Sequence, residues 1–173
     1  MTLEEAHRHC REVARREARN FYYGFILLPP HKRAGIYAAY AFSRRADDSV
    51  DDEGPAAGRE AAVASLRRQL DAAVAGQPPA DDPVLVALAD TIRRFAIPRE
   101  HLDALIDGVE MDLTVSRYAD EEALRVYCDR VAGAVGLVSL HVFGFADPAA
   151  PGRLGRARIA AAALRRALRA ARA

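Results

Sequence analysis

The densest chemistry in this chain lies in the run Asp47-Asp48-Ser49-Val50-Asp51-Asp52, where two pairs of carboxylates recur at a spacing of four. On a helix, residues four apart share a face, and like charges there repel by about 0.2–0.5 kcal/mol in water and by more as water is withdrawn. A hard divalent cation bridging Asp47 and Asp51 removes that repulsion. Mg²⁺ in particular binds proteins through one or two carboxylates and completes its shell with substrate phosphates and water. A diphosphate ligand is therefore implied, and Arg44, one turn before Asp47, is a forked donor able to reach the same phosphate. The other reading of the run is a solvated acidic helix end leading into a loop.

Helical geometry bears on that choice. At 100° per residue with Ile36 at the origin, Tyr40 falls at about 40°, Asp47 at about 20° and Asp51 at about 60°. The two carboxylates then continue the apolar stripe. Asp48 and Asp52 fall at about 120° and 160°, on the flank of Arg45 at about 180°, where solvent is expected.

Other residues offer less. Gly133 and Gly136 stand inside a helical pattern, where each costs about 1 kcal/mol relative to Ala, so a kink or a close approach by ligand or backbone is expected there. Helix–helix packing would give the same signal, and Val131, Val135, Leu137, Val138 and Leu140 suit a pocket or a core, with most assigned to core. The five histidines show no metal-ligand clustering; His7 and His9, two apart, do not share a helix face and read as surface or packing residues. Asp107, Glu110 and Asp112 form a second acidic group, of which Asp112 is a supporting candidate. Cys128 reads as a small buried hydrophobe.

The elements that must position these residues are helical throughout. Breakers cluster at Pro29-Pro30, Gly54 to Gly58, Gly76 to Pro83, Pro98 and Pro148 to Gly152, and the segments between them are rich in Ala, Leu, Arg and Glu. Helices are expected over about 2–22, 31–52, 57–75, 83–95, 99–117, 120–145 and 153–172. Thr2 with Glu5 matches a capping box, Pro30 suits a first turn, and Asp120 can cap the sixth helix. No internal repeat is visible.

With 173 residues, 51% of them hydrophobic and 28% charged, the chain has the make-up of one folded domain or part of a larger one. Its 25 basic and 24 acidic residues leave a net charge of +1, which gives no whole-protein field for nucleic acid. Cys10 and Cys128 are the only cysteines, and the opening MTLEEAHRHC lacks the regions of a signal peptide, so a cytoplasmic location is expected, with no disulfide framework and no Cys-based metal site. Val131 to Ala146 is nearly apolar but too short for a membrane span. Lys32 is the one lysine among the basic residues.

Three stretches in order resemble the squalene/phytoene synthase family. NFYYGFILLPPHKRAGIYAAYAFSRRADDSVDDEG, residues 20–54, resembles its aromatic-rich opening followed by Y-A-F-x-R and a first D-x-x-x-D; LIDGVEMDL, residues 105–113, with Arg117-Tyr118, resembles L-I-x-G-x-x-M-D-L before R-Y; YCDRVAGAVGLVSLHVFG, residues 127–144, resembles Y-C-x-x-V-A-G-x-V-G. The resemblance covers about residues 3–145, roughly the first half of a full-length member. Asn20 stands where the family has a small hydroxylated residue, and Ser43 where it usually has Cys. The implied fold is an all-α helical bundle of the isoprenoid synthase type, apparently incomplete, with residues 1–147 as the N-terminal part of the domain and 148–173 as an Arg/Ala-rich tail outside the family pattern.

The resemblance also implies a chemistry. Two allylic prenyl diphosphates, farnesyl or geranylgeranyl, are joined head to head, with NADPH needed only where the product is squalene. Asp47 and Asp51 match the aspartates that hold Mg²⁺, Arg44 a diphosphate-binding arginine, and Tyr127 a tyrosine facing the reaction centre. Phe21, Phe25, Tyr40, Val131, Gly133 and Gly136 would line or support the substrate pocket, and Leu28 its edge. Tyr22, Tyr23 and Phe42 are further candidate walls, since ring faces stabilise positive charge. Asp129 and Asp147 are the only acids after Glu122, so a second D-x-x-x-D is lacking and weak turnover by this chain is expected. The alternative is a non-catalytic helical protein that binds a prenyl diphosphate or a partner and rests a basic amphipathic tail, Arg153 to Arg172, on an anionic membrane surface.

Overall fold

The computed structural model describes residues 1–51, 56–114, 120–128, 130 and 133–145. Eight helices run through them: α1 (Leu3–Glu17), α2 (Arg19–Phe25), α3 (Pro30–Asp51), α4 (Ala56–Val74), α5 (Pro83–Phe95), α6 (Arg99–Thr114), α7 (Glu121–Cys128) and α8 (Ala134–Phe143). No strand occurs among the described residues. The expected tail helix at 153–172 lies outside them, as do residues 115–119 at the end of the expected fifth helix.

Helix α3 is the centre of the bundle and packs against α1, α5, α8, α4 and α6. Its sequence allows this because small residues recur on several sides. Gly35, Ala38, Ala41 and Ala46 are buried together with Ile36, Tyr37 and Phe42. Gly35 shows how close the approach is, since a Cβ there would meet the Phe95 ring of α5 at 2.6 Å. On α1, Ala6, Cys10 and Ala14 repeat every four residues and form a narrow buried stripe against α3 and α5. Burial pushes the Cys10 thiol up to about 12, despite the nearby Arg45.

The caps set the boundaries. Thr2 Oγ1 accepts from Glu5 N–H at 3.2 Å, and Glu5 Oε2 accepts from Thr2 N–H at 2.7 Å, so the expected capping box is formed. Asp120 accepts from Ala123 N–H at 2.8 Å and caps α7 as expected. Pro30 opens α3. Asp82, which sequence reading passed over, caps α5 through Val84 and Leu85 N–H at 3.0 and 3.1 Å, with Pro83 following it. Ala96 ends α5 in the left-handed conformation, φ 48°.

Two expected single helices are divided. The first splits at Ala18, where the chain turns into the short α2 before the Ile26–Pro29 connection. Of the sixth, α7 and α8 are described, with Arg130 and Gly133 between them in π-helical conformation, so the glycine in the helical pattern marks the expected irregularity. Helix α8 packs on α3 and α6. Its carboxyl end is held by Lys32, whose Nζ donates to Phe143 O at 2.6 Å.

Candidate active site

The last four turns of α3 carry the site. Ala39, Tyr40, Ser43 and Arg44 are half-buried and Asp47 is exposed, whereas Ala38, Ala41, Phe42 and Ala46 on the same turns are at most 2% exposed. Asp47 therefore lies on the least covered strip of the central helix, in line with Tyr40 and Ser43. The angular reading put Asp47 on the apolar stripe of Ile36 and Tyr40; that stripe is covered at Ile36 and open by Asp47, because neighbours surround α3 on several sides and its core contacts run mainly through alanines and glycine. Asp51 follows one turn later in the same helix; its side chain, like those of Phe21 and Asp112, falls outside the described set, as does Val131 altogether.

Arg44 donates to Asp48 at 2.6 Å, an i,i+4 pair. The neighbouring charge of Asp48, assisted by Glu17, holds the guanidinium above its ordinary range. Its Nε is buried without a hydrogen-bond partner. Arg44, Asp48, Arg45, Arg16 and Glu17 line a cavity of about 260 Å³ between α1 and α3, so the acid expected to be inert organises the arginine. The i,i+4 Arg-to-Asp spacing was a readable signal for this.

Arg45 is a second correction. It was expected in solvent, but it is half-buried and grips Asp82 through both terminal nitrogens at 2.7 and 2.9 Å. Burial alone would raise the Asp82 pKa, yet this fork and the two backbone donors hold it below the usual carboxylate range. No local pattern announces a pair separated by 37 residues.

Aromatic groups gather at the other end of α3. Tyr37 stacks on Tyr22 at 5.4 Å and meets Phe25 edge-on at 6.4 Å. Phe42, offered as a cavity wall, is wholly buried in the core, and Tyr23 is 72% exposed. Burial raises the Tyr40 phenol above its ordinary value against the opposing effect of Arg44, so it stays protonated beside the aspartate strip. Tyr127 is half-buried on α7, which packs on α6; Gly133 is buried at the start of α8 and Gly136 is half-buried within it. Of the expected pocket residues on α8, Val138 is core while Val135 is 39% exposed. Cys128 is half-buried rather than buried. Asp107 and Glu110 clamp Arg67, tying α6 to α4.

Among the described residues no group of three or more His, Cys, Asp or Glu side chains is placed to hold a metal. Asp47 and Asp51 are nonetheless of the residue type that suits Mg²⁺, hard oxygen donors, and Asp47 is open to solvent.

The squalene/phytoene synthase family model matches residues 14–173, and the chain belongs to that family. Its similarity runs to phytoene synthase of Mycobacterium tuberculosis, 42% identical over 142 residues that make up 82% of this chain and 46% of that protein. A 15-cis-phytoene synthase of Synechococcus elongatus is 40% identical over 143 residues, with 83% and 46% covered. Among solved structures, a squalene synthase from Alicyclobacillus acidocaldarius superposes with a TM-score of 0.80 at 32% identity, covering 88% of this chain and 56% of that one. A dehydrosqualene synthase crystallised with ligand gives 0.73 at 31%, covering 81% and 48%. These likenesses bear out the all-α isoprenoid synthase-type bundle. The chain spans about half the length of the curated relatives it matches.

Proposed function

We propose that this chain binds an allylic prenyl diphosphate and carries the first-aspartate side of a site for head-to-head prenyl transfer, as in phytoene and squalene synthases. The carrying observation is the uncovered strip of α3, on which Tyr40, Arg44 and Asp47 follow one another in successive turns of the helix at the centre of the bundle. Asp47 and Asp51 would hold Mg²⁺. Bound there, the ion supplies charge neutralisation to a leaving diphosphate.

The chain's own groups do the rest. Arg44, held by Asp48 within reach of the strip, is positioned to turn onto a phosphate oxygen, which exchanges one anionic partner for another. Tyr40 stays a neutral phenol and can donate at the strip. Phe21, Phe25, Tyr127, Val131, Gly133 and Gly136 are proposed to line or support the prenyl pocket, whose apolar walls exclude water from an allylic cation. Residues 1–147 form the proposed domain segment. With Asp129 and Asp147 as the only later acids, metal ligands come from one side, and turnover by these 173 residues is expected to be weak while binding persists. Solubility or peripheral membrane attachment both accord with the helices described, none of which is long and apolar enough to cross a membrane.

The test is retention of radiolabelled farnesyl or geranylgeranyl diphosphate on the purified chain, with Mg²⁺ or with EDTA. Saturable binding that needs the metal and is not displaced by an equal concentration of inorganic diphosphate is expected, because the prenyl tail contributes. Binding unaffected by EDTA would remove the proposal. Hexane extraction after incubation with NADPH reads turnover, expected to be slow.

A further inference from the structure

The groove between α1 and the first two turns of α3 concentrates cationic and hydroxyl groups that the aspartate strip does not use. Its α1 wall carries Glu4, His7, Arg8 and Arg11, its α3 wall carries Arg33 and Tyr37, and together they bound about 240 Å³. Three guanidiniums thus face one carboxylate, and that one, Glu4, is 89% exposed and 3.6 Å from Arg8. The rest of the groove carries uncompensated positive charge.

Each wall also contributes a buried polar atom with no hydrogen-bond partner: the Tyr37 hydroxyl and His7 Nδ1. Tyr37 is only 2% exposed, and buried polar groups are normally paired. The Tyr22 ring stacks on Tyr37, and the Tyr22 hydroxyl, to which Arg11 Nε donates at 3.4 Å, is near enough to act on the Tyr37 phenol although no well-formed hydrogen bond joins the two hydroxyls. On His7, Nε2 meets the Asp90 carboxylate at 3.2 Å. With a proton on Nε2 to satisfy that carboxylate, Nδ1 is left as an acceptor. The groove therefore presents cations, while one hydroxyl donor and one imidazole acceptor lie buried in two of the side chains that line it.

We propose that this groove binds a phosphate oxyanion. Arg8, Arg11 and Arg33 take its charge, the Tyr37 hydroxyl donates to one oxygen, and His7 Nδ1 accepts from the P–OH of a monohydrogen phosphate. That last contact separates phosphate from sulfate, which has no proton to donate at neutral pH. Neither orphan atom touches solvent, so the anion displaces a flexible side chain to reach them; Arg8 and Arg11 are both exposed. The site is separate from the aspartate strip, since ten residues of α3 between Tyr37 and Asp47 span about 15 Å.

Calorimetric titration of the full 173-residue chain with inorganic phosphate, in EDTA so that metal-dependent binding is silent, tests this. One saturable site is expected, with sulfate bound more weakly. Arg11→Gln with Arg33→Gln should weaken phosphate at least about tenfold, and Tyr37→Phe by about the same factor, since hydrogen bonds to ionised groups are the strong ones. Arg33 also bonds Ile26 O, so Arg8→Gln, which removes only an exposed side chain, is the variant that keeps the fold and should still weaken binding. Arg68→Gln on α4 should leave it unchanged. No saturable binding, sulfate bound as tightly as phosphate, or equal loss from Arg68→Gln overturns the proposal. Flotation with phosphatidic acid vesicles runs in parallel: retention that Arg11→Gln/Arg33→Gln abolishes assigns the phosphate to a lipid headgroup, and titration without retention assigns it to a free phosphate.

Discussion

At the scale of single residues, burial decides which reactive groups are available. Cys10 is 0% exposed and its thiol is pushed up to about 12 by burial, so almost no thiolate forms at neutral pH. Cys128 is half-buried. Iodoacetamide at pH 8 is therefore expected to modify Cys128 alone in the native chain and both thiols in denaturant, read by mass spectrometry; native labelling of Cys10 would show that α1 opens. Asp90 illustrates the opposite case. It is buried, and burial would raise its pKa, yet His7, Arg94 and Arg93 hold it low; His7 reaches it from α1 and ties α1 to α5, while the two arginines pair with it within α5. Asp90→Asn should cost about 2 kcal/mol in urea unfolding. That cost should come without loss of prenyl diphosphate binding, since Asp90 lies away from the aspartate strip. Nothing in the sequence near Asp90 signalled this pairing, because its partner His7 is 83 residues away.

At the scale of elements, small residues and caps set how closely the helices meet. Gly35→Ala places a methyl 2.6 Å from the Phe95 ring and should destabilise by about 1–3 kcal/mol, the usual cost of overpacking. Adding Phe95→Leu should return part of that loss, and a double variant no better than the single would mean that the α3–α5 approach is not what limits position 35. Element positions were legible in the sequence where local signals exist. Thr2/Glu5, Pro30 and Asp120 each mark a helix start that the structure confirms. The split at Ala18 was not legible, because the run REVARREARN carries no Gly or Pro breaker, and there tertiary packing overrides propensity. How far cover extends along α3 was not legible for a related reason. The helix lies at the centre, and alanine counts as core only when its neighbours are known.

At the scale of the whole molecule, charge pairing sets the pH response. Asp82 and Asp90 are held below the ordinary aspartate value in the folded chain. Their unfolded forms thus bind more protons, and the stability they contribute is present above about pH 4 and lost as pH falls through the folded values. His101 is also depressed, by burial and then by His141, from 6.5. The unfolded state again binds more protons, so this contribution is intact above about pH 6.5 and shrinks below it. Urea midpoints should be level from pH 7 to 9, decline modestly from 6.5 to 5 and fall steeply below 4; His101→Gln should remove the first decline, and its persistence would assign that step elsewhere. The family resemblance was legible because its three motifs are contiguous strings, and the bundle around them follows. Arg44's pairing with Asp48 follows an i,i+4 spacing present in the sequence, whereas Arg45's with Asp82, 37 residues away, had to come from coordinates. The claim that joins fold to function is that Asp47 and Asp51 act as a metal-holding pair on the open strip of α3. Calorimetric titration of farnesyl or geranylgeranyl diphosphate with Mg²⁺ tests it directly, comparing Asp47→Asn/Asp51→Asn with Asp48→Asn/Asp52→Asn at unchanged helical content. The first variant is predicted to lose Mg²⁺-dependent binding and the second to weaken it only a few-fold through the loosened Arg44; equal loss from both would contradict the pair and leave only a diffuse acidic patch.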